Sequence, residues 1–251
     1  MEWSDQAIVL GVRKHGETAV IAELMTRDRG RHLGVVHGGR SRTMRPLLQP
    51  GNTVRATWRA RLEDHLGQFK LESVSMRASK LMETAHGVYA VQVLASHLRL
   101  LPERDAHTSL YDVLAIVLDN LENPAIAGEL VVRFELSILE ELGFGLDLSA
   151  CAATGQTVNL MYVSPKSGRA VSAEAGKPWA DKMLQLPSFL LERDLERISA
   201  AEWFDIQSGF ELTSFFLNRH VYMAREIDAP IERNSLVRTL AKLLKENDNN
   251  V

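Results

Sequence analysis

One cysteine, Cys151, stands in a chain of 251 residues. A disulfide framework within the chain is excluded, and a thiolate metal site lacks ligands. Such poverty in cysteine fits a reducing compartment. No apolar run approaches the roughly 20 residues of a membrane span. The first ten residues carry Glu2 and Asp5 where a signal peptide would be apolar. The cytoplasm is the expected location. Enzyme signatures are missing as well. No phosphate-binding loop ends in Gly-Lys-Ser/Thr, and Gly143-Phe144-Gly145 lacks the third glycine of a dinucleotide fingerprint. No His-Glu-x-x-His occurs, and the eight histidines do not cluster at ligand spacings. Glu140 and Glu141 are adjacent, so on a helix they face different ways. Cys151 has no evident base partner. The expectation is a binding protein with no catalytic residue, no cofactor and no metal.

What is present is ordinary globular material, 45% hydrophobic and 24% charged. The net charge of -3 hides an asymmetry. Residues 1–80 sum to +6 and the remainder to -9, which points to a basic module joined to an acidic one. The basic part reads as strands. Ala7–Arg13 and Ala19–Met25 flank the turn-like His15-Gly16-Glu17, and Leu33–His37 follows Arg29-Gly30. Over Thr53–Leu62, Val54, Ala56, Trp58, Ala60 and Leu62 share one face, and Arg55, Thr57, Arg59 and Arg61 the other. Gln68–Met76 is the fifth strand. Five short strands in about 75 residues predict an OB-type β-barrel.

After residue 80 the period becomes helical. Ala85–Leu101 reads as a helix stopped by Pro102. Leu110, Val113, Leu114, Val117, Leu118 and Leu121 stripe the next. Ser109 and Asp112 resemble a capping box, and Asn123-Pro124 ends that helix. Ile126, Leu130, Phe134, Ile138 and Leu142 stripe a third, with Gly143 as its C-terminal glycine. Leu212, Phe215, Phe216 and Met223 mark one later helix, with His220 a surface or internally satisfied residue of it. Leu236, Leu240, Leu243 and Leu244 mark the last helix, before a polar, frayed tail at Glu246–Val251. Residues 147–178 form a loop-rich insertion with a short strand at Asn159–Ser164. The fold class is therefore α+β with two domains: an OB-fold domain over 1–80 and a helical domain over 81–251.

Arg27, Arg29, Arg31, Arg40, Arg42 and Arg45 fall within 19 residues, opposed only by Asp28. His32 and His37 lie among them. Gly38 and Gly39 would let the backbone approach a ligand between flanking arginines. The planar guanidinium fork suits phosphate, and Arg55, Arg59 and Arg61 add a strand face to the patch. These nine arginines are the expected nucleic-acid contacts. Stacking groups are few: Trp58 falls on the apolar face, leaving Trp3 and Phe69, so backbone contact is favoured over base reading.

The same residues carry a family resemblance. Ala7-Ile8-Val9-Leu10, His15-Gly16-Glu17, Met25-Thr26-Arg27, Gly30-Arg31 and Gly38-Gly39-Arg40-Ser41-Arg42 precede Leu48-Gln49-Pro50-Gly51. In that order they resemble the N-terminal half of the RecO family of bacterial recombination mediators. Arg133-Phe134-Glu135-Leu136 through Leu142-Gly143-Phe144-Gly145-Leu146 is similar to the family's central helix. The resemblance implies an OB barrel followed by a helical domain. It implies binding of single- and double-stranded DNA, annealing of complementary strands, and action with RecR in loading RecA onto DNA coated by single-strand-binding protein. It places the protein at the nucleoid. It also implies that the helical domain takes the acidic, Phe-ending tail of single-strand-binding protein, for which Arg99, Arg133 and Phe134 are the candidates. Many members carry a four-cysteine zinc module in the insertion. Here Cys151-x-x-Thr154 and Ser172-x-x-Ala175 keep the spacing without three of the thiolates. The insertion is then held by packing of Leu160, Tyr162, Val163 and Val171. Two other readings stay open on the residues alone. One is an OB module for RNA or the ribosome, without mediator activity; the other is an enzyme with an unfamiliar site.

Overall fold

Extended chain from Glu2 to His15 forms β1, the longest strand of the structure. β2 (Ala19–Thr26), β3 (Gly30–Val36), β4 (Thr53–Arg59) and β5 (Gln68–Ser75) follow, with the short helix α1 (Met44–Leu47) between β3 and β4. β1 serves two partners. Glu2–Ile8 pair with β4 and Ala7–His15 with β2, and the register shifts between Val9 and Gly11. Such an irregularity bends a strand, which lets one strand turn a barrel corner. The order β1-β2-β3-β5-β4 closes on itself, β3 meeting β5 in parallel at Val35–Gln68. That is the five-stranded OB barrel the strand pattern predicts. This computed structural model describes residues 1–191 and 201–248.

Alternation decides which side chains fill the barrel. Ala7 and Val9, Val20, Ala22 and Leu24, and Val54, Ala56 and Trp58 are all at most 5% exposed. Trp58 is therefore core, as its face predicts. Ile8 and Leu10 point the other way along β1 yet are buried too, so that face needs a cover. The helix α3 (Ala85–Leu98) lies against β1, after the single turn α2 (Ala78–Leu81). With α4 (Thr108–Asp119) it belongs to the same compact unit as the barrel, Met1–Glu122. The barrel's unit thus runs past the change of period at residue 80.

Several boundaries differ from the sequence expectation. β4 stops at Arg59 because its neighbours end there: Arg59 faces Glu2 of β1 and Gln68 of β5. Leu62, assigned to its inner face, is 52% exposed. α3 ends at Leu98, its final carbonyls taken by tight turns at Leu100 and Leu101. No capping box opens α4. Its N-cap is His107 without a side-chain bond, and Asp112 is turned to Arg27. Asn123-Pro124 begins a helix rather than ending one.

The second unit, Asn123–Val251, opens on that helix, α5 (Pro124–Glu141). The Asn123 side chain accepts from the amides of Ala125 and Ile126 while Pro124 occupies the first turn. Asn123→Ala should cost about 1 kcal/mol, measured as a shift in the urea midpoint of this unit. Its other end has Gly143 at φ +84. The amides of Gly143 and Phe144 donate back to Glu140 and Leu139, the paired bonds of a Schellman ending. The insertion and the chain just after it fold as a small sheet of β6 (Leu160–Val163), β7 (Ala170–Ser172) and β8 (Leu184–Gln185), with the turn α6 (Ala173–Gly176). Leu160, Tyr162, Val163 and Val171 are all buried in it. Cys151 Sγ sits 3.4 Å from the Ser172 hydroxyl, so the two positions of the zinc-like spacing do converge. Among the described residues no group of three His, Cys, Asp or Glu could hold a metal.

α7 (Trp203–Leu217), a π-helical turn at Asn218–Tyr222, the turn α8 (Met223–Arg225) and α9 (Ile231–Asp248) complete the unit. Leu212 and Phe216 are buried, whereas Met223, placed on the same stripe, is 75% exposed because the π turn shifts the helix phase. Leu236, Leu240 and Leu244 form the inner face of α9. Of the predicted frayed tail, residues 249–251 lie outside the described residues. No described helix is long and apolar enough to cross a membrane.

Candidate nucleic-acid interface

Two loops and one turn meet at an end of the barrel. The β1–β2 hairpin, His15 to Ala19, carries Gly16 at φ +63. We call its turn L12, and the β4–β5 connection, residues 60–67, L45. L45 is held from inside. Trp58 Nε1 donates to Leu66 O at 3.1 Å, and a Cβ on Gly67 would lie 2.4 Å from the same indole. Arg104 holds it from outside, donating to the carbonyls of Glu63 and His65 with its guanidinium 5.8 Å from the Trp58 ring centroid.

The chain leaving β3 packs onto L12. Arg40 N donates to Thr18 O at 3.1 Å and its guanidinium donates to Glu17 O. Here the Gly38-Gly39 pair serves the protein's own hairpin. Gly38 has φ +64, and a Cβ on Gly39 would lie 2.5 Å from Val20. The result is a cleft of about 460 Å³ lined by His15, His37, Arg59, Arg61, His65 and Gln68 among others. OB barrels bind oligonucleotides at their L12 and L45 loops and the face of strands 2 and 3.

The nine arginines divide by partner. Arg40, Arg42, Arg45, Arg55 and Arg61 make no ion pair among the described residues. Arg59 meets Glu2 at 2.8 Å, but both side chains are half exposed or more, so the pair is weak and readily exchanged. Arg29 likewise has no ion pair and lies over Trp3. Arg27 and Arg31 are engaged by carboxylates of the same unit, Arg27 at the surface and Arg31 largely buried. Arg27 forks onto both oxygens of Asp112 at 3.0 Å, a bond that holds the Asp112 carboxyl below its usual range. Arg31, only 13% exposed, bridges Glu23 and Glu103 and donates to Leu101 O. The partner candidates fare similarly. Arg99 is bound to Glu23, Arg133 to Glu129 and Phe189 O, and Phe134 is fully buried. Phe134 thus offers no surface to a peptide, a correction that follows from its place on the apolar stripe.

The helical unit has a larger cleft of its own. It measures about 820 Å³ and runs along α7 and α9 past Trp203, Phe210, Phe215 and Arg238. Trp203 Nε1 is buried there without a hydrogen-bond partner, and Lys245 Nζ lies 5.8 Å from the Trp203 ring centroid. Sequence reasoning missed Arg104 and this cleft. Neither has a local signal, since each depends on residues far apart in the chain.

Comparison with known proteins agrees with this architecture. Residues 1–77 match the family model described as recombination protein O N terminal, and residues 82–226 the one described as recombination protein O C terminal. The chain is 59% identical over 244 residues to the DNA repair protein RecO of Rhizobium etli, covering 97% of this chain and 94% of that one. It is 56% identical over 245 residues to the protein of the same name from Sinorhizobium medicae, covering 98% and 97%. The Bartonella tribocorum protein of that name is 56% identical over 237 residues, covering 94% of each.

Proposed function

Because the chain belongs to the RecO family of DNA repair proteins, we propose that it binds single- and double-stranded DNA along the L12–L45 end of its barrel. In this reading it anneals complementary strands and, with RecR, helps RecA replace single-strand-binding protein. The observation that carries it is the convergence of Arg59, Arg61 and three histidines on the cleft at the L12–L45 end of an OB barrel, with Arg40 braced on the L12 hairpin. Arg42 and Arg45 extend the patch. Arg29 and Arg55 stand as further contacts, whereas Arg27 and Arg31 hold the scaffold. Annealing needs no bond chemistry. A cationic surface that neutralises phosphates lowers the repulsion between two strands brought side by side. The α7–α9 cleft, with aromatic walls flanked by Arg238 and Lys245, suits the acidic, Phe-ending tail of single-strand-binding protein.

The test is salt-dependent binding to single strands, duplex and RNA. A triple variant, Arg40→Ala, Arg42→Ala and Arg61→Ala, should flatten the log–log salt slope by about 0.9 per lost duplex contact and about 0.7 per single-strand contact. Annealing should slow in parallel, while Lys166→Ala in the insertion leaves both unchanged. An unaltered slope in the triple variant would remove this cleft from the DNA path. A clear preference for RNA would favour the RNA-binding module instead.

A further inference from the structure

A second cleft opens on the other flank of L45. It measures about 400 Å³ and is lined by Trp3, Arg29, His32, Trp58, Glu63 and Arg104 among others, sharing no residue with the L12–L45 cleft. Its walls are flat rings. Trp3 stacks on Trp58 with centroids 5.6 Å apart and planes 18° apart, and His32 meets Trp3 edge-on at 5.0 Å. Arg29 lies 5.3 Å from the Trp3 centroid, further than the ~3.5–4.0 Å of contact stacking. It is exposed and held by no carboxylate among the described residues.

Sealing the barrel does not account for all of this. His32 is 95% buried, being 5% exposed, and its Nδ1 makes no well-formed hydrogen bond, although the backbone of Gly30 and Arg29 acts on the ring. Burial also pulls the imidazole pKa down to about 4, so the ring is neutral and offers both a donor and an acceptor. Asp28 and Glu63 share the lining with the two arginines. The field there is nearly balanced, which fits a flat neutral group better than a bare phosphate.

We propose that this cleft takes up one unstacked nucleobase of single-stranded DNA. Trp3 is the stacking platform, His32 hydrogen-bonds the base edge, and Arg29 swings off the ring to meet the flanking phosphate. The proposal rests on the DNA-binding reading above and deepens it. A base in duplex has both faces occupied and cannot enter. The pocket therefore favours single strands, while the L12–L45 cleft serves both forms.

The experiment compares the full-length protein on a mixed-sequence single strand, an abasic strand of equal length and charge, and duplex. Wild type should bind the normal strand about tenfold more tightly than the abasic one, the scale of one stacked base. Trp3→Leu should erase that preference and leave duplex affinity and salt slope unchanged. Trp3 packs against the barrel core, so a second variant covers a failure to fold. Ala106 is exposed at the rim of the cleft, and Ala106→Phe should block entry and erase the preference equally. A preference retained by the folded variants, or an equal loss on duplex, overturns the pocket while DNA binding stands. Wild type showing no salt-dependent binding to abasic strand or duplex would overturn the DNA-binding reading itself.

Discussion

Arg233→Ala is expected to destabilise the helical unit by about 3–5 kcal/mol. Arg233 and Glu135 are a buried ion pair, their side chains 8% and 0% exposed. Nε lies 2.7 Å from one carboxylate oxygen and Nη2 2.9 Å from the other. The same guanidinium donates to Phe210 O, and Thr213 adds its hydroxyl to Glu135. One side chain of α9 thereby ties α5 to α7. Burial alone would lower the Arg233 pKa, but the Glu135 charge and hydrogen bonds raise it above the usual value. The guanidinium thus stays charged across any working pH. Removing it strands a carboxylate in a low-dielectric interior, and that stranded charge, more than the lost attraction, sets the size of the effect. Against a typical total of about 5–15 kcal/mol, the loss is a large fraction of the stability. Replacing both partners, with Arg233→Met and Glu135→Leu, should restore much of it. Urea denaturation measures the loss, and hydrogen exchange should place it in α5, α7 and α9. A loss below about 1 kcal/mol would mean that water or relaxation already solvates Glu135.

Much of this architecture is legible in the sequence, and its limits have physical causes. Strands β1, β2 and β4 are visible because β-branched runs and the alternation of Val54, Ala56 and Trp58 are local properties. α5 is visible from its stripe and from Gly143, whose left-handed φ few other residues tolerate. Asn123-Pro124 is ambiguous by nature, since the dipeptide suits both the stop of one helix and the start of another. Only the bonds that Asn123 accepts from the amides of Ala125 and Ile126 decide it. The arginines are the instructive case. All six of the tract look alike in sequence, yet the carboxylate that takes Arg27 lies 85 residues away. Arg31 is claimed by Glu23 and Glu103, each supplied by a different stretch of chain. A charge count therefore locates a basic module but does not separate the arginines that build it from those left for a ligand. Family membership is legible across most of the chain, and it too leaves that partition to geometry.

Trp58 tests whether the core and the loop proposed to meet DNA are one device. Trp58→Ala should cost about 3–5 kcal/mol, since the indole is 1% exposed at the centre of the barrel. That result reports packing alone. Trp58→Phe keeps an aromatic ring in place and deletes the N–H that holds Leu66 O, at a stability cost of about 1 kcal/mol. Its larger consequence should be in binding. L45 carries Arg61 and His65 into the cleft, and without its inner tether the loop must be ordered when DNA arrives. Affinity for duplex should fall several-fold. The salt slope should not change, because the same number of phosphates is neutralised in the complex. Arg61→Ala should do the reverse, flattening the slope while leaving the fold intact. The contrast separates a residue that positions the loop from one that meets phosphate. If Trp58→Phe changed the slope as Arg61→Ala does, the loop would be losing a contact rather than its preorganisation. The role of the core indole in shaping the cleft would then have to be given up.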